Sequence, residues 1–227
     1  MLMQLDGPGL APLSGGKAAY LVVLLHGVAA NGNDLISLGS AWRKILPNAE
    51  FIAPNAPFPS EYAPEARQWF SLADRAPEKL LAGLREAGAI LGRFFDELLA
   101  SRQLGDARLA LAGFSQGAAT ALYAGVRWEP QIAGIVAFSG ALPDVEGLQS
   151  EIRSKPPVLL VHGVADDVVL FQSMANAKAT LEASGVPVTA AGRPGLGHAI
   201  DDTGVALGGE FLCDVLKAPR GDTGMAV

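Results

Sequence analysis

The sequence LALAGFSQGAATAL, residues 109–122, decides the fold of this chain. Its four apolar residues 109–112 have the composition of a buried strand and lead directly into Gly113-Phe114-Ser115-Gln116-Gly117. This Gly-x-Ser-x-Gly pattern is typical of the nucleophile elbow, a strained strand-to-helix turn that exposes a serine hydroxyl. The small residues 118–122 favour the helix that has to follow the turn. A tight packing turn without chemistry is the alternative, and the flanking strand and helix favour the elbow.

Outside this stretch, apolar runs alternate with helix-length segments. We predict strands at 20–25, 50–53, 108–112, 134–138, 158–161 and 186–191, and helices near 33–46, 78–103, 115–127, 171–184 and 202–217. Because several strands are continuously apolar, both faces of the sheet are expected to be covered. The alternation predicts an α/β fold with a mostly parallel central sheet and helices on both faces. We expect one compact domain over residues 1–217, without a large cap domain, and a flexible tail over residues 218–227.

The composition limits the classes of function. Of the 227 residues half are apolar, and a net charge of −6 without clustered Lys or Arg argues against nucleic acid or anionic lipid as a partner. The single cysteine, Cys213, excludes an intramolecular disulfide, and with three separated histidines it offers no zinc-ligand spacing. We expect no secretory signal at the N-terminus, and no apolar run is long enough to span a bilayer. We expect a cytoplasmic protein with no metal, no cofactor and no stable membrane association, and leave homodimer formation open.

A serine nucleophile needs a base, and the chain offers three histidines. His26 and His162 each precede a glycine at the end of an apolar strand, where a structural role bonding local backbone is favoured. His198 instead lies in the loop Pro194-Gly195-Leu196-Gly197-His198, after the last predicted strand, where an imidazole can face a cleft. We therefore predict His198 as the base.

An acid has to orient this base, and in the order serine, acid, histidine it lies between Ser115 and His198. Asp166 and Asp167 compete on the loop after strand 158–161, and Asp144 is a weaker third candidate. Asp201 and Asp202 follow His198 and are predicted to cap the last helix instead.

Two backbone N–H groups are expected to hold the oxyanion that forms during acyl transfer. One belongs to Gln116, the residue after the serine, and we expect Gln116 to act through its backbone. The other is predicted at Val28, in the loop His26-Gly27-Val28 after the first long strand. A plain glycine turn is the alternative for this loop.

With these segments in view, the chain resembles the phospholipase/carboxylesterase family, which includes acyl-protein thioesterases and small bacterial carboxylesterases. The matching stretches are LVVLLHGVAANGNDLISL, FIAPNAP, QWFSL, LAGFSQGAATAL, GIVAFSGALP, PVLLVHGVADDVVLFQSM and PGLGHAID, which together span about residues 5–217. The resemblance implies the α/β-hydrolase fold and carboxylesterase activity, with Ser115, Asp166 and His198 as the catalytic residues. It selects Asp166 because the family's acid stands four residues after the histidine of a His-Gly-x-x-Asp motif. It also implies Val28 and Gln116 as the oxyanion donors.

The substrate pocket is predicted from the irregular, proline-rich segment 54–77 and the loop after the acid. The candidates for its walls are Phe58, Tyr62, Trp69, Phe70 and Leu72 from the segment, and Val168, Val169 and Leu170 from the loop. By the family's placement of the proline-rich segment over the active site, Trp69 and Leu72 are expected to bind substrate, and Val169 is expected to join them. The alternative is that these residues only seal a long loop against the core. Without a long amphipathic lid, the expected substrates are small soluble esters with aryl or short-to-medium acyl groups. The alternatives are a lysophospholipid or an acylated protein as substrate, or a catalytically silent binding protein with this fold.

Overall fold

The computed structural model describes residues 5–143 and 147–217. Within these ranges the strands are β1 (Gly9–Leu10), β2 (Tyr20–Leu25), β3 (Ala49–Ile52), β4 (Phe58–Pro59), β5 (Arg67–Gln68), β6 (Leu109–Phe114), β7 (Gly134–Phe138), β8 (Val158–Gly163) and β9 (Val188–Arg193). The α-helices are α1 (Gly32–Trp42), α2 (Pro77–Arg102), α3 (Gln116–Gly125), α4 (Gln172–Ala183) and α5 (Asp202–Lys217). The proposed tail, residues 218–227, and the candidate acid Asp144 lie outside the described residues.

Seven of these strands form one sheet in the order β1-β3-β2-β6-β7-β8-β9. Every neighbouring pair is parallel except β1 and β3, which pair antiparallel at the edge of the sheet. The central position belongs to β6, the strand that leads into the Gly-x-Ser-x-Gly sequence. The predicted α/β architecture with a mostly parallel sheet is confirmed.

The two faces of the sheet are covered by different helices. Along β2, Leu21, Val23 and Leu25 pack into a core with α2, α3 and α4, whereas Val22 and Leu24 pack into a second core with α1 and α5. This alternation follows from the period of two in a strand, and all five side chains are fully buried. Continuous apolar strands therefore mark a sheet sandwiched between two helical layers, as predicted.

The longest helix, α2, follows its sequence pattern closely. Pro77 occupies the first turn, where its missing N–H costs nothing, and the helix ends at Arg102, followed by the capping residue Gln103, whose φ of 58° is left-handed. Its buried face is formed by residues at helical spacing: Leu81, Leu84, Ala87, Ile90, Leu91, Phe95, Leu98 and Leu99. This helix supplies one wall of the cleft described below.

The sequence pattern missed or displaced several elements. The last strand occupies Val188–Arg193 rather than 186–191, because Val186 packs into the core and Pro187 has no N–H for the ladder. The segment 54–77 contains a two-stranded ribbon, β4 with β5, that its irregular sequence did not reveal. The short edge strand β1 was not predicted either.

The parallel strands point their carboxyl ends toward one edge of the sheet. The loops after β2, β6, β8 and β9 therefore meet there, and they carry Val28, Ser115, Asp166 and His198.

In the described part of the chain, no helix has the length and apolar character needed to cross a membrane.

Candidate active site

Ser115 occupies a strained turn between β6 and α3. Its φ of 55° and ψ of −118° are rarely adopted by a residue with a side chain, and its N–H donates to Phe138 O at 2.9 Å. A Cβ on Gly117 would overlap the carbonyl of Leu25, and one on Gly113 would overlap the carbonyl of Gly117. The glycines are therefore required by the close approach of neighbouring backbone, and the turn has the geometry expected of a nucleophile elbow.

His198 bridges Ser115 and Asp166. Its Nε2 lies 3.0 Å from Ser115 Oγ, and its Nδ1 lies 2.8 Å from Asp166 Oδ2. The imidazole also packs against the ring of Phe114, with centroids 4.8 Å apart. Since a carboxylate only accepts, Nδ1 carries a proton and Nε2 is left to accept the proton of the serine hydroxyl. The structure thus brings the three predicted residues together in one hydrogen-bonded chain.

Asp166 is buried and well supplied with donors. Its Oδ1 accepts hydrogen bonds from the backbone N–H groups of Val168 at 3.0 Å and Val169 at 2.9 Å. Burial alone would raise the pKa of Asp166, but the hydrogen bonds from His198, Val169 and Val168 outweigh it, so this pKa lies below its ordinary value. The carboxylate is therefore charged at neutral pH and able to stabilise an imidazolium.

The competing aspartates are placed differently. Asp167 is exposed to solvent, although it is the next residue along the same loop. Asp201 accepts a hydrogen bond of 2.8 Å from Gly204 N in the first turn of α5, as a helix cap does, and it pairs with Arg193 at 2.9 Å. Among these carboxylates only Asp166 meets His198.

His162 has a contact that sequence reasoning did not anticipate. Its Nε2 lies 2.8 Å from Val169 O, and the same nitrogen lies 3.3 Å from Asp166 Oδ2. Since a carbonyl only accepts, Nε2 carries a proton, and that proton also faces the carboxylate. The bond to local backbone was predicted. The only signal for the second contact is the spacing of four residues in His162-Gly163-Val164-Ala165-Asp166.

The two predicted oxyanion donors lie on the same cavity as Ser115. Gln116 is the first residue of α3, so its N–H has no partner within the helix and points from the positive end of the helix dipole. Gly27, just before Val28, lies beside the elbow, because a Cβ there would be 3.4 Å from Ser115 Cβ. Val28 and Gln116 thus both belong to segments that lie next to the nucleophile.

The side chain of Gln116 has a role that sequence reasoning missed. Although buried, its Oε1 accepts from Trp69 N at 2.9 Å, and its Nε2 donates to Phe70 O at 2.8 Å. These two bonds tie the segment after β5 to the start of α3. The side chain therefore orients one wall of the cleft, in addition to any role of its backbone.

A cavity of about 410 Å³ opens beside Ser115. Its walls come from the loop after β2, the segment after β5, α2, α3, the loop after β7, the loop after β8 and the start of α4. Its lining residues are Val28, Phe70, Leu72, Arg75, Leu80, Leu84, Ser115, Gln116, Ala119, Ala141, Leu142, Pro143, Val168, Val169, Leu170 and Ser173. Most of these are apolar, as expected for a site that binds an acyl or aryl group.

Leu72 and Val169 line this cavity, as the sequence predicted for them, and so do Val168 and Leu170. Trp69 does not. It is fully buried, and its Nε1 donates to His26 O at 2.9 Å. The backbone bends at residues 69–70, and the neighbouring Phe70 lines the cavity instead. Trp69 therefore supports the cleft from beneath rather than lining it.

Within residues 5–143 and 147–217, no group of three or more His, Cys, Asp or Glu side chains is arranged to hold a metal ion. The lone cysteine, Cys213, lies on α5, which packs on the opposite face of the sheet from α3. Its Sγ is 3.7 Å from Ile45 O. No other nucleophilic side chain of the described chain joins Ser115 in contact with His198.

The sequence and the fold are similar to those of known proteins. A model of the phospholipase/carboxylesterase family matches residues 13–215. Acyl-protein thioesterase 1 of Aspergillus fumigatus is 28% identical over 92% of both chains. Esterase YpfH of Escherichia coli is 30% identical, covering 88% of this chain and 83% of its own. The crystal structure of esterase PE8 superposes with a TM-score of 0.88 at 41% identity, over 94% of this chain and all of that one.

Proposed function

The chain belongs to the phospholipase/carboxylesterase family, and on this premise we propose that this carboxylic ester hydrolase works through an acyl-enzyme formed on Ser115. The observation that carries the proposal is the chain of contacts from Ser115 Oγ through His198 to Asp166, at 3.0 and 2.8 Å. The positive φ of Ser115 supports it, because backbone strain of this kind concentrates at functional sites. We assign the reaction to a single α/β-hydrolase domain over residues 1–217.

In the acylation step, His198 Nε2 takes the proton of Ser115 as Oγ bonds to the ester carbonyl carbon. The carbonyl oxygen becomes negative and is held by the backbone N–H groups of Val28 and Gln116. Asp166 stabilises the imidazolium through the 2.8 Å contact with Nδ1. When the bond to the alcohol oxygen breaks, His198 returns the proton to the departing alcohol, and the acyl group stays on Ser115.

In the deacylation step, His198 accepts a proton from water as the water oxygen attacks the acyl carbon. A second oxyanion forms and collapses, the bond to Ser115 Oγ breaks, and His198 reprotonates the serine. The products are a carboxylic acid and an alcohol. The enzyme returns to its starting state without the help of a metal or an organic cofactor.

The preferred substrates are small soluble esters, with an aryl or short-to-medium acyl group in the cavity beside Ser115. Its volume of about 410 Å³ and apolar walls, among them Leu72, Phe70 and Val169, support this class of substrate. Arg75 is the one charged residue among the described lining residues.

The single cysteine of the chain supports a cytoplasmic location.

A thioester substrate is the second candidate, favoured by the relative named acyl-protein thioesterase 1. The two are separated by measuring kcat/KM on p-nitrophenyl butyrate, a lysophospholipid and an S-acylated peptide in parallel. We expect the soluble aryl ester to have the highest value, with simple saturation kinetics and total loss of turnover in Ser115→Ala. A higher kcat/KM on the S-acyl peptide, or a sharp rise in rate when micelles form, would reject the preferred substrate class. Full activity of Ser115→Ala would reject the mechanism.

A further inference from the structure

His26 is a buried imidazole for which the mechanism above has no use. It follows β2, and only 1% of its surface is exposed. Its Nδ1 lies 2.7 Å from Gly27 O, and its Nε2 lies 2.9 Å from Ala56 N. The ring also packs against Trp69, with centroids 5.6 Å apart. An imidazole held by two polar contacts in the buried core has a fixed orientation.

The partners of His26 determine where its proton lies. The carbonyl oxygen of Gly27 can only accept, so Nδ1 carries the hydrogen. The N–H of Ala56 can only donate, so Nε2 presents its lone pair. His26 is therefore the neutral Nδ1–H tautomer. A second proton on Nε2 would face the N–H of Ala56 directly.

The hydrogen bond from His26 to Gly27 O affects the direction of the Val28 N–H, the proposed oxyanion donor. The carbonyl of Gly27 and the N–H of Val28 are the two ends of one planar, trans peptide unit and point in opposite directions. Holding the oxygen on the side of His26 therefore aims the N–H of Val28 away from it. Gly27 lies beside Ser115, since a Cβ there would be 3.4 Å from Ser115 Cβ.

We propose that His26 is a positioning residue for the oxyanion hole: its Nδ1–H fixes the Gly27–Val28 peptide so that the N–H of Val28 faces the developing oxyanion. This inference rests on the acyl-enzyme mechanism proposed for Ser115. It assigns a task to a residue that touches neither substrate nor nucleophile. Oxyanion donors stabilise charge efficiently only when they are oriented before the reaction, which is what this hydrogen bond provides.

The surrounding contacts support a rigid peptide. Arg67 Nε donates to Ala56 O at 2.9 Å, so the residue that donates to His26 is itself held in place. Trp69 Nε1 donates to His26 O at 2.9 Å. On the other side of Val28, the N–H of Ala29 donates to Arg67 O at 3.1 Å. The short segment that contains Val28 is thus fixed at both ends.

Two variants of His26 separate the positioning role from simple packing. The side-chain nitrogen of Asn stands near the place of Nδ1, so His26→Asn can still donate to Gly27 O. The side-chain oxygen of Gln reaches the place of Nε2, so His26→Gln can still accept from Ala56 N but loses the donor to Gly27 O. Each variant loses one hydrogen bond and the ring contact with Trp69, so similar losses of stability are expected.

The test is kcat and KM of both variants on a p-nitrophenyl ester, per active site counted by complete fluorophosphonate labelling. We expect kcat of His26→Gln to be about 10- to 100-fold below that of His26→Asn with similar KM, less than the loss on deleting an oxyanion donor. Affinity for an aryl trifluoromethyl ketone, which forms a tetrahedral adduct on serine, should fall by the same factor. If His26→Gln does not fold, a higher kcat of His26→Asn than of His26→Ala is the expected rescue.

Equal kcat values in the Asn and Gln variants, or equal values in Asn and Ala where Gln does not fold, would overturn the positioning role while leaving the Ser115 mechanism intact. Failure of that mechanism is recognised separately, by activity remaining in Ser115→Ala. A loss confined to melting temperature in all variants would show that His26 only packs the core.

Discussion

His198 Nδ1 lies 2.8 Å from Asp166 Oδ2, although the two residues are 32 positions apart in the chain. The carboxylate reaches the imidazole because β8 and β9 are neighbouring parallel strands, whose carboxyl ends present the two loops side by side. Its remaining oxygen is occupied by Val168 N and Val169 N. Asp166 therefore has one orientation, and that orientation selects the histidine tautomer that the mechanism needs.

Replacement of this carboxylate tests its role. Asp166→Asn should lower kcat on a p-nitrophenyl ester on the order of 10⁴-fold, because the amide favours the wrong tautomer of His198. Asp167→Asn is the matched control: it changes the exposed neighbour and should stay close to the wild-type kcat. A larger loss in the Asp167 variant than in the Asp166 variant would show that the acid is wrongly assigned.

The side chain of Gln116 offers a second test. Gln116→Ala leaves Trp69 N–H and Phe70 C=O without their partners. The free energy of unfolding should therefore fall by about 1–3 kcal/mol for each of these groups that water does not reach. KM should rise because Phe70 lines the cavity, whereas kcat should fall less than about tenfold because the backbone N–H remains. Denaturant unfolding and steady-state kinetics measure these effects. A severe loss of kcat at unchanged stability and KM would point to a chemical role of the amide side chain.

Gly117 should tolerate no side chain. In Gly117→Ala the new Cβ would overlap the carbonyl of Leu25, so we expect a loss of about 3 kcal/mol in the free energy of unfolding, or no soluble protein. Gly105→Ala is the control, since no heavy atom lies within 4 Å of a Cβ there. Thermal unfolding of both variants is the measurement. A stable Gly117→Ala protein would contradict the close approach of β2 to the elbow.

Ionised Glu151 should stabilise the fold, and this stabilisation should be lost in acid. Glu151 lies outside the candidate active site and accepts hydrogen bonds from Arg85, Tyr123 and Arg127. Burial alone would raise its pKa, but these hydrogen bonds outweigh it and lower the pKa to about 2. Because the folded-state pKa is depressed, the stabilisation is complete above pH 4.5 and is lost as the pH falls toward 2.

Glu151→Gln should therefore be less stable than wild type at pH 7, by about 1–2 kcal/mol once solvent screening is allowed for. The difference between the two proteins should shrink steadily between pH 4.5 and pH 2. Urea unfolding at a series of pH values measures it. A difference that stays constant over this range would mean that the ionised carboxylate does not stabilise the fold.

Sequence reasoning predicted the parts of this molecule that depend on local pattern. The apolar strands, the amphipathic α2 and the glycines around Ser115 each carry a periodic or steric signature, and the structure confirms the fold they imply. The choice between Asp166 and Asp167 was different. The direction in which each of two adjacent loop side chains points depends on backbone dihedrals that no sequence pattern determines. The selection of Asp166 over Asp167 therefore rested on the resemblance to a family.

The misplacement of Trp69 has the same physical origin. Trp69 and Phe70 lie at a bend of the backbone, and the direction of a side chain at such a bend is not determined by the sequence pattern. The hydrogen bonds from the Gln116 side chain to Trp69 and Phe70 span 47 and 46 positions of the chain, so no local pattern could reveal them. The contact of His162 with Asp166 is similarly a property of the folded loop.

The acyl-enzyme mechanism is tested by locating the covalent intermediate. The enzyme is incubated with a fluorophosphonate and, separately, quenched during turnover of a p-nitrophenyl ester, and the modified peptide is identified by mass spectrometry. We expect both adducts to lie on Ser115 and both to be absent from Ser115→Ala, while alkylation of Cys213 leaves turnover unchanged. An acyl adduct on Cys213, or full turnover in an enzyme whose Ser115 is blocked, would contradict this mechanism.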